Sequence, residues 1–222
     1  TEDFQLGVLI QSKGYQSYAT EEILASGLTP DTFEAVVKQR VRWARGVIQS
    51  IYNVNLLFLK GLTWQQKVIY STSYLYWWSF FRRIIYIVAP ILFGLFSIRL
   101  VDNSFFILLL FWLPAYFSMN LYMQHLAGNI RTQRWGEIYE TILAPFMVLP
   151  VFFEALGIKE REFKITNKDK VNTKKKRFNV AILPHLFLLL MCILAFINFN
   201  AHKTLNELFY GMVINFWLIH HI

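Results

Sequence analysis

Two short polar signatures hold the residue types in this chain that could do chemistry. They are Thr1-Glu2-Asp3 at its start and Gln39-Arg40-Val41-Arg42-Trp43, which sits just before the sequence turns apolar. A carboxylate such as Asp3 can take a proton from an attacking hydroxyl. Guanidinium groups match the oxygens of a diphosphate and keep their charge at any ordinary pH. An indole offers a flat apolar face to a sugar ring.

The elements that must position these residues can be read from the pattern around them. Phe4 to Ser12 has helical spacing, with Phe4, Val8 and Leu9 on one face, and Thr1 to Asp3 falls in its acidic first turn. Gly14-Tyr15-Gln16-Ser17-Tyr18-Ala19 reads as a turn and short strand, and Gly27 to Pro30 as a loop. Asp31 or Thr32 then caps a helix that runs through the second signature, where Gln39, Arg42 and Trp43 share a face.

The remainder demands a bilayer. Of 222 residues, 55% are hydrophobic and 18% aromatic, too apolar for an ordinary soluble domain. Residues 1–46 read as the tail of a soluble domain, and 47–73 as amphipathic segments lying in the interface, broken by Gln49, Asn53 and Asn55. Residues 74–127 hold two expected spans, the first with Arg82-Arg83 inside it and the second over Ser104 to Gln124. Glu137 to Glu154 has an uncharged stretch of only Thr141 to Phe153 with two prolines, which predicts another interfacial helix. Residues 178–222 hold a third span and the start of a fourth. The first residue is Thr and the last apolar run stops at Ile222, so a fragment of a longer protein is expected.

Charge follows the same plan. The formal net charge of +8 is concentrated between Lys159 and Arg177, where nine Lys or Arg face three acidic residues. With residues 1–46, Arg131 to Arg134 and this loop on the cytoplasmic side, the outward loops are Arg99 to Asn103 and His202 to Glu207, in accord with the positive-inside rule. No groove-reading motif accompanies the charge, which argues against a nucleic-acid partner. The sole cysteine, Cys192, excludes a disulfide framework within the chain, and the scattered histidines form no metal pattern.

Taken singly, Thr-Glu-Asp is an ordinary acidic helix start, and Gln-Arg-x-Arg-Trp an ordinary basic interfacial anchor. Their order, the aromatic span that follows, and Phe163-Lys164-Ile165-Thr166-Asn167-Lys168 in the basic loop together resemble the processive family 2 glycosyltransferases of the bacterial cellulose synthase type. The last motif is similar to that family's gating loop, Phe-x-Val-Thr-x-Lys, with Ile in the Val position. Chitin and hyaluronan synthases share the Trp motif but not this loop in the same form.

The resemblance implies a fold and roles. The fold is an α-helical integral membrane protein of about four transmembrane helices plus amphipathic interface helices, preceded by the C-terminal remnant of a GT-A-type α/β glycosyltransferase domain. Asp3 is the expected general base, supported by Thr1 and Glu2. Gln39, Arg40 and Arg42 are expected on the donor diphosphate and Trp43 on the acceptor sugar. Phe163, Ile165, Thr166 and Lys168 form the expected gate, while Lys174 to Arg177 reads as a lipid-headgroup contact. Tyr74, Trp77, Trp78 and Arg83 are the expected channel lining.

By the same resemblance the donor is a UDP-sugar, the product a growing β-linked polysaccharide and the site a bacterial plasma membrane. A divalent cation, Mg or Mn, is implied with ligands upstream of this chain. An accessory export subunit and a cyclic-di-GMP-binding module outside the chain are compatible partners. Two alternatives stay open: a synthase of another polymer, such as an amino-sugar chain, and a non-catalytic transporter or channel subunit.

Overall fold

The structure is a computed structural model that describes residues 2–18, 20, 22–100, 105–127, 133–158, 180–202 and 208–221. Thr1 and the expected gate at Phe163, Ile165, Thr166 and Lys168 lie outside the described residues. Every element is helical: α1 (Glu2–Ser12), α2 (Phe33–Val54), α3 (Trp64–Phe96), α4 (Phe105–Ala127), α5 (Gln133–Ala155), a 3-10 turn (Val180–Ile182), α6 (Leu183–His202) and α7 (Leu208–His221). The strand expected after Gly14 does not form; among the described residues no second strand is present to complete a ladder.

The chain divides into two compact units, residues 1–80 with 146–179 and residues 81–145 with 180–222. In the first, α1 packs on α2. Thr32 caps α2, its side chain accepting from Ala35 N at 3.3 Å, which supplies one of the donors a helix start leaves free. The helix then runs without a break to Asn55, whose left-handed backbone (φ 49°) ends it. The boundary expected between 46 and 47 therefore falls inside one helix, because Gln49 and Asn53 are polar without breaking helical geometry. A capping box starts α3: Thr63 Oγ1 accepts from Gln66 N, and Gln66 Oε1 accepts from Thr63 N.

The second unit has the chemistry of a membrane bundle. Its core is Ile87, Ile91, Phe93, Cys192, Ala195, Phe199, Ile214 and Leu218. Small residues let the backbones close in: a Cβ at Gly94 would sit 2.8 Å from the Ala195 carbonyl oxygen. Asn198 Nδ2 donates to Gly94 O at 2.8 Å, and Asn200 and Asn215 exchange amide hydrogen bonds at 2.9 and 3.1 Å. Around this core, residues such as Leu110, Phe111, Phe187 and Ile197 point outward and are more than half exposed, an arrangement that suits hydrocarbon rather than water.

Among the described residues, three helices are long and apolar enough to cross a membrane: Trp64–Phe96, Arg134–Ala155 and Val180–His202. The second of these contains the segment Glu137 to Glu154 expected to lie in the interface. Pro145 and Pro150 are accommodated within a continuous α5 of 23 residues, about 35 Å at the helical rise. Its two early carboxylates, Glu137 and Glu140, are both paired with Arg83, so their charge does not shorten the apolar stretch as expected. Described α7 has 14 residues, about 21 Å, shorter than a span.

Candidate active site

Glu2 and Asp3 stand exposed in the first turn of α1, where unpaired helix N–H groups favour negative charge. Val8 on the inner face of α1 is fully buried, and Phe4 meets Tyr70 of α3 edge-on at 5.5 Å. The carboxylate pair is thus carried by a helix fixed to both α2 and the start of α3. That fixing is a local consequence of the apolar spacing along Phe4 to Leu9.

Gln39, Arg40, Arg42 and Trp43 are all half-buried on α2. The Arg40 guanidinium lies 4.9 Å from the Trp43 ring centroid, a cation–π pair between residues three apart. One face of the indole is therefore covered by a guanidinium of its own helix. The packing of α1 on α2 brings the two signature-bearing helices together.

Below the signatures, α2 carries a cluster that the sequence did not single out. Glu154, in the last turn of α5, has a side chain only 1% exposed; its Oε1 accepts from Gln49 Nε2 at 2.8 Å and its Oε2 lies 3.9 Å from Arg45 Nε. Arg45 and Gln49 are one turn apart on the same face, so both reach one carboxylate. Tyr52, the next turn along, donates to the Ala155 carbonyl at 3.3 Å. A lone acidic residue closing the apolar run Thr141 to Phe153 was the available signal.

Tyr52 also places its hydroxyl 3.3 Å from that of Tyr74. That hydrogen bond first, and burial second, push the Tyr52 phenol up to about 12. Tyr74 continues to Trp78, ring centroids 6.2 Å apart, so Tyr52, Tyr74 and Trp78 make one aromatic series. Trp77, expected on the channel face, is 6% exposed and stacks on Phe80 with planes 27° apart. Tyr76 closes over its edge at 5.1 Å.

In the other unit, Arg83 gives Nη1 to Glu137 at 2.5 Å and Nη2 to Glu140 at 2.6 Å, and Nη1 also reaches Thr141 Oγ1 at 3.3 Å. Its side chain is 10% exposed, so the tips expected toward a polymer are engaged by α5. The outermost member is Glu137, whose side chain is 52% exposed. Among the described residues no group of three His, Cys, Asp or Glu is arranged to hold a metal ion.

The chain is 27% identical over 205 residues to the cellulose synthase catalytic subunit [UDP-forming] of Pseudomonas fluorescens (strain SBW25), covering 92% of this chain and 28% of that protein. It is 29% identical over 199 residues to cellulose synthase 2 of Novacetimonas hansenii, covering 89% of this chain and 12% of that protein. Against the cellulose synthase 1 catalytic subunit [UDP-forming] of Komagataeibacter xylinus it is 27% identical over 186 residues, covering 84% and 25%. The chain thus spans about a quarter or less of the length of these relatives. Residues 1–126, which include both polar signatures and the helices that carry them, match glycosyl transferase family group 2, and the chain belongs to that family.

Proposed function

We propose that this chain is part of a membrane-embedded, inverting, processive glycosyltransferase. It polymerises a β-linked polysaccharide, cellulose or a related β-glucan, from a UDP-sugar at a bacterial plasma membrane. The packing of α1 on α2 carries this reading, because it brings the helix bearing the carboxylate pair against the helix bearing the guanidinium and indole groups. Relatives named as UDP-forming cellulose synthase subunits supply the donor and the product class.

In the reaction, an acceptor hydroxyl attacks the anomeric carbon of the donor sugar while its proton passes to the Asp3 carboxylate. The new glycosidic bond forms as the bond to UDP breaks, and attack from the opposite side turns an α-linked donor into a β-linkage. The departing diphosphate takes the bonding electron pair, and Arg42, Arg40 and Gln39 stabilise that charge. Trp43 holds the acceptor ring by stacking. Thr1 and Glu2 orient the base, and Phe163, Ile165, Thr166 and Lys168 cover the donor.

The product then moves along aromatic faces into the membrane. Tyr74 and Trp78, joined by Tyr52, offer sliding contacts to sugar rings without a tight site. Trp77 and Arg83 support that path from its helices. A divalent cation, supplied by residues outside this chain, belongs with the diphosphate. In the full-length enzyme, Asp3→Asn is expected to abolish polymer synthesis while UDP binding stays close to normal; near-normal product from that variant would remove the base from Asp3.

A further inference from the structure

The C-terminal ends of α1 and α2 enclose an open groove of about 460 Å³ that the proposed reaction does not use. Its lining includes Lys13 and Lys60, Asn55, and the apolar residues Leu9, Val54 and Phe58. Among the described residues no acidic residue lines it. Among the described residues neither lysine has a carboxylate partner, whereas Lys67 nearby is occupied, donating to Leu57 O at 2.8 Å.

Two helix ends ordinarily present carbonyl groups and partial negative charge. Here part of those carbonyls is engaged. Ile10 O and Gln11 O accept from Lys13 N, Gly14 N and Tyr15 N, and Ile51 O and Tyr52 O accept from Leu56 N and Asn55 N. Among the described residues no carboxylate competes with an outside anion for the two lysine charges.

The groove is also preformed. Gly61 packs so closely on α1 that an added Cβ would lie 1.9 Å from Ser12 O. Lys13 and Lys60 are the chain neighbours of that touching pair, so the contact fixes the spacing of their backbones.

Its position selects the kind of anion. The loop Asn55 to Thr63 leads directly into α3, which is long and apolar enough to cross a membrane, and Trp64 at the head of that helix is 73% exposed. Leu57 and Phe58 on the loop are 66% and 79% exposed. Exposed Trp, Phe and Leu beside lysines at the head of an apolar helix mark the headgroup level of a bilayer. We propose that this groove binds one anionic phospholipid, its phosphate held by Lys13 and Lys60 and the beginning of its acyl chains lying on Leu9, Val54 and Phe58. The lipid seats the ends of α1 and α2, whose other turns carry the two polar signatures, at the membrane surface.

The test uses full-length protein in detergent and native mass spectrometry, with phosphatidylglycerol titrated beside phosphatidylcholine of identical chains. Wild type is expected to retain one phosphatidylglycerol in preference, and Lys13→Gln with Lys60→Gln to lower that affinity about tenfold. Lys13→Arg with Lys60→Arg keeps the charge and should keep the lipid, as should Gln substitution of Lys174, Lys175, Lys176 and Arg177. Equal retention by wild type and the Gln pair, or loss in the Arg pair with its fold intact, would overturn the proposal. So would glycerol phosphate binding as tightly as the lipid, which would make this a free-phosphate site. Because lipid retention is read directly, an inactive enzyme that keeps its lipid counts against the glycosyltransferase reading alone.

Discussion

Gln49 donates a 2.8 Å hydrogen bond to Glu154 across 105 residues of sequence, and Arg45 approaches the same carboxylate from one turn away. A buried carboxylate is tolerable only with such partners, because desolvation penalises the charge heavily. The contact joins the end of α5 to the helix that carries Gln39 to Trp43. Glu154→Ala should lower stability by about 3 kcal/mol, since it strands two buried polar groups, whereas Glu154→Gln should cost less than half of that. Thermal midpoints of the purified full-length variants would check this, and equal losses for the two would mean that volume rather than hydrogen bonding matters at this position.

Arg83 is held by two carboxylates on apolar helices, so its removal leaves negative charge behind. Arg83→Gln is expected to cost about 3 kcal/mol, and adding Glu137→Gln and Glu140→Gln should recover at least half. Denaturant titration in mild detergent measures the cycle. Additive losses would show that the three groups act independently.

The Tyr52 phenol supplies a pH dependence with a definite sign. Its folded value of about 12 lies above the ordinary 10.0, so the protonated form is the one stabilised. The contribution of the Tyr52–Tyr74 hydrogen bond is complete below about pH 10 and disappears as pH rises through 12. Absorbance titration of tyrosinate should show one late-ionising phenol in the native protein that Tyr52→Phe removes. An unchanged titration curve would contradict the pairing.

Glycine positions should separate sharply. Gly61 combines a φ of 90° with the close approach to Ser12, so Gly61→Ala should cost about 3 kcal/mol or more. Gly27 has open space around its missing side chain and no left-handed backbone, so Gly27→Ala should change stability by less than about 0.5 kcal/mol. Thermal shift of the two variants side by side decides the matter.

Helix existence and the caps were legible because they depend on nearby residues. The acidic first turn before Phe4 and Thr32 before the second signature both stand where spacing put them. Continuity of α2 through residue 47 was less legible, because polar residues at the interface look like interruptions until a helix face is assigned. The full extent of α5 was hidden for a related reason: Glu137 and Glu140 read as charges bounding an apolar run, and only the position of Arg83 neutralises them. Arg45 and Tyr52 escaped notice, and Gln49 reads only as a break in the apolar pattern, because their partners lie at the far end of the sequence and no local pattern distinguishes them from solvated polar residues. Trp77 is a case where residue type pointed outward and packing turned it inward, with Phe80 one turn away to stack on.

The Asn200–Asn215 exchange has a consequence for how the molecule is assembled. Inside hydrocarbon, apolar side chains gain nothing by leaving lipid for one another, so burial cannot select a sliding position between two inserted helices. Paired amides can, because displacing either helix by one residue separates both donors from both acceptors at once. The two asparagines therefore act as a key cut into otherwise interchangeable surfaces, and they give α6 and α7 a single alignment.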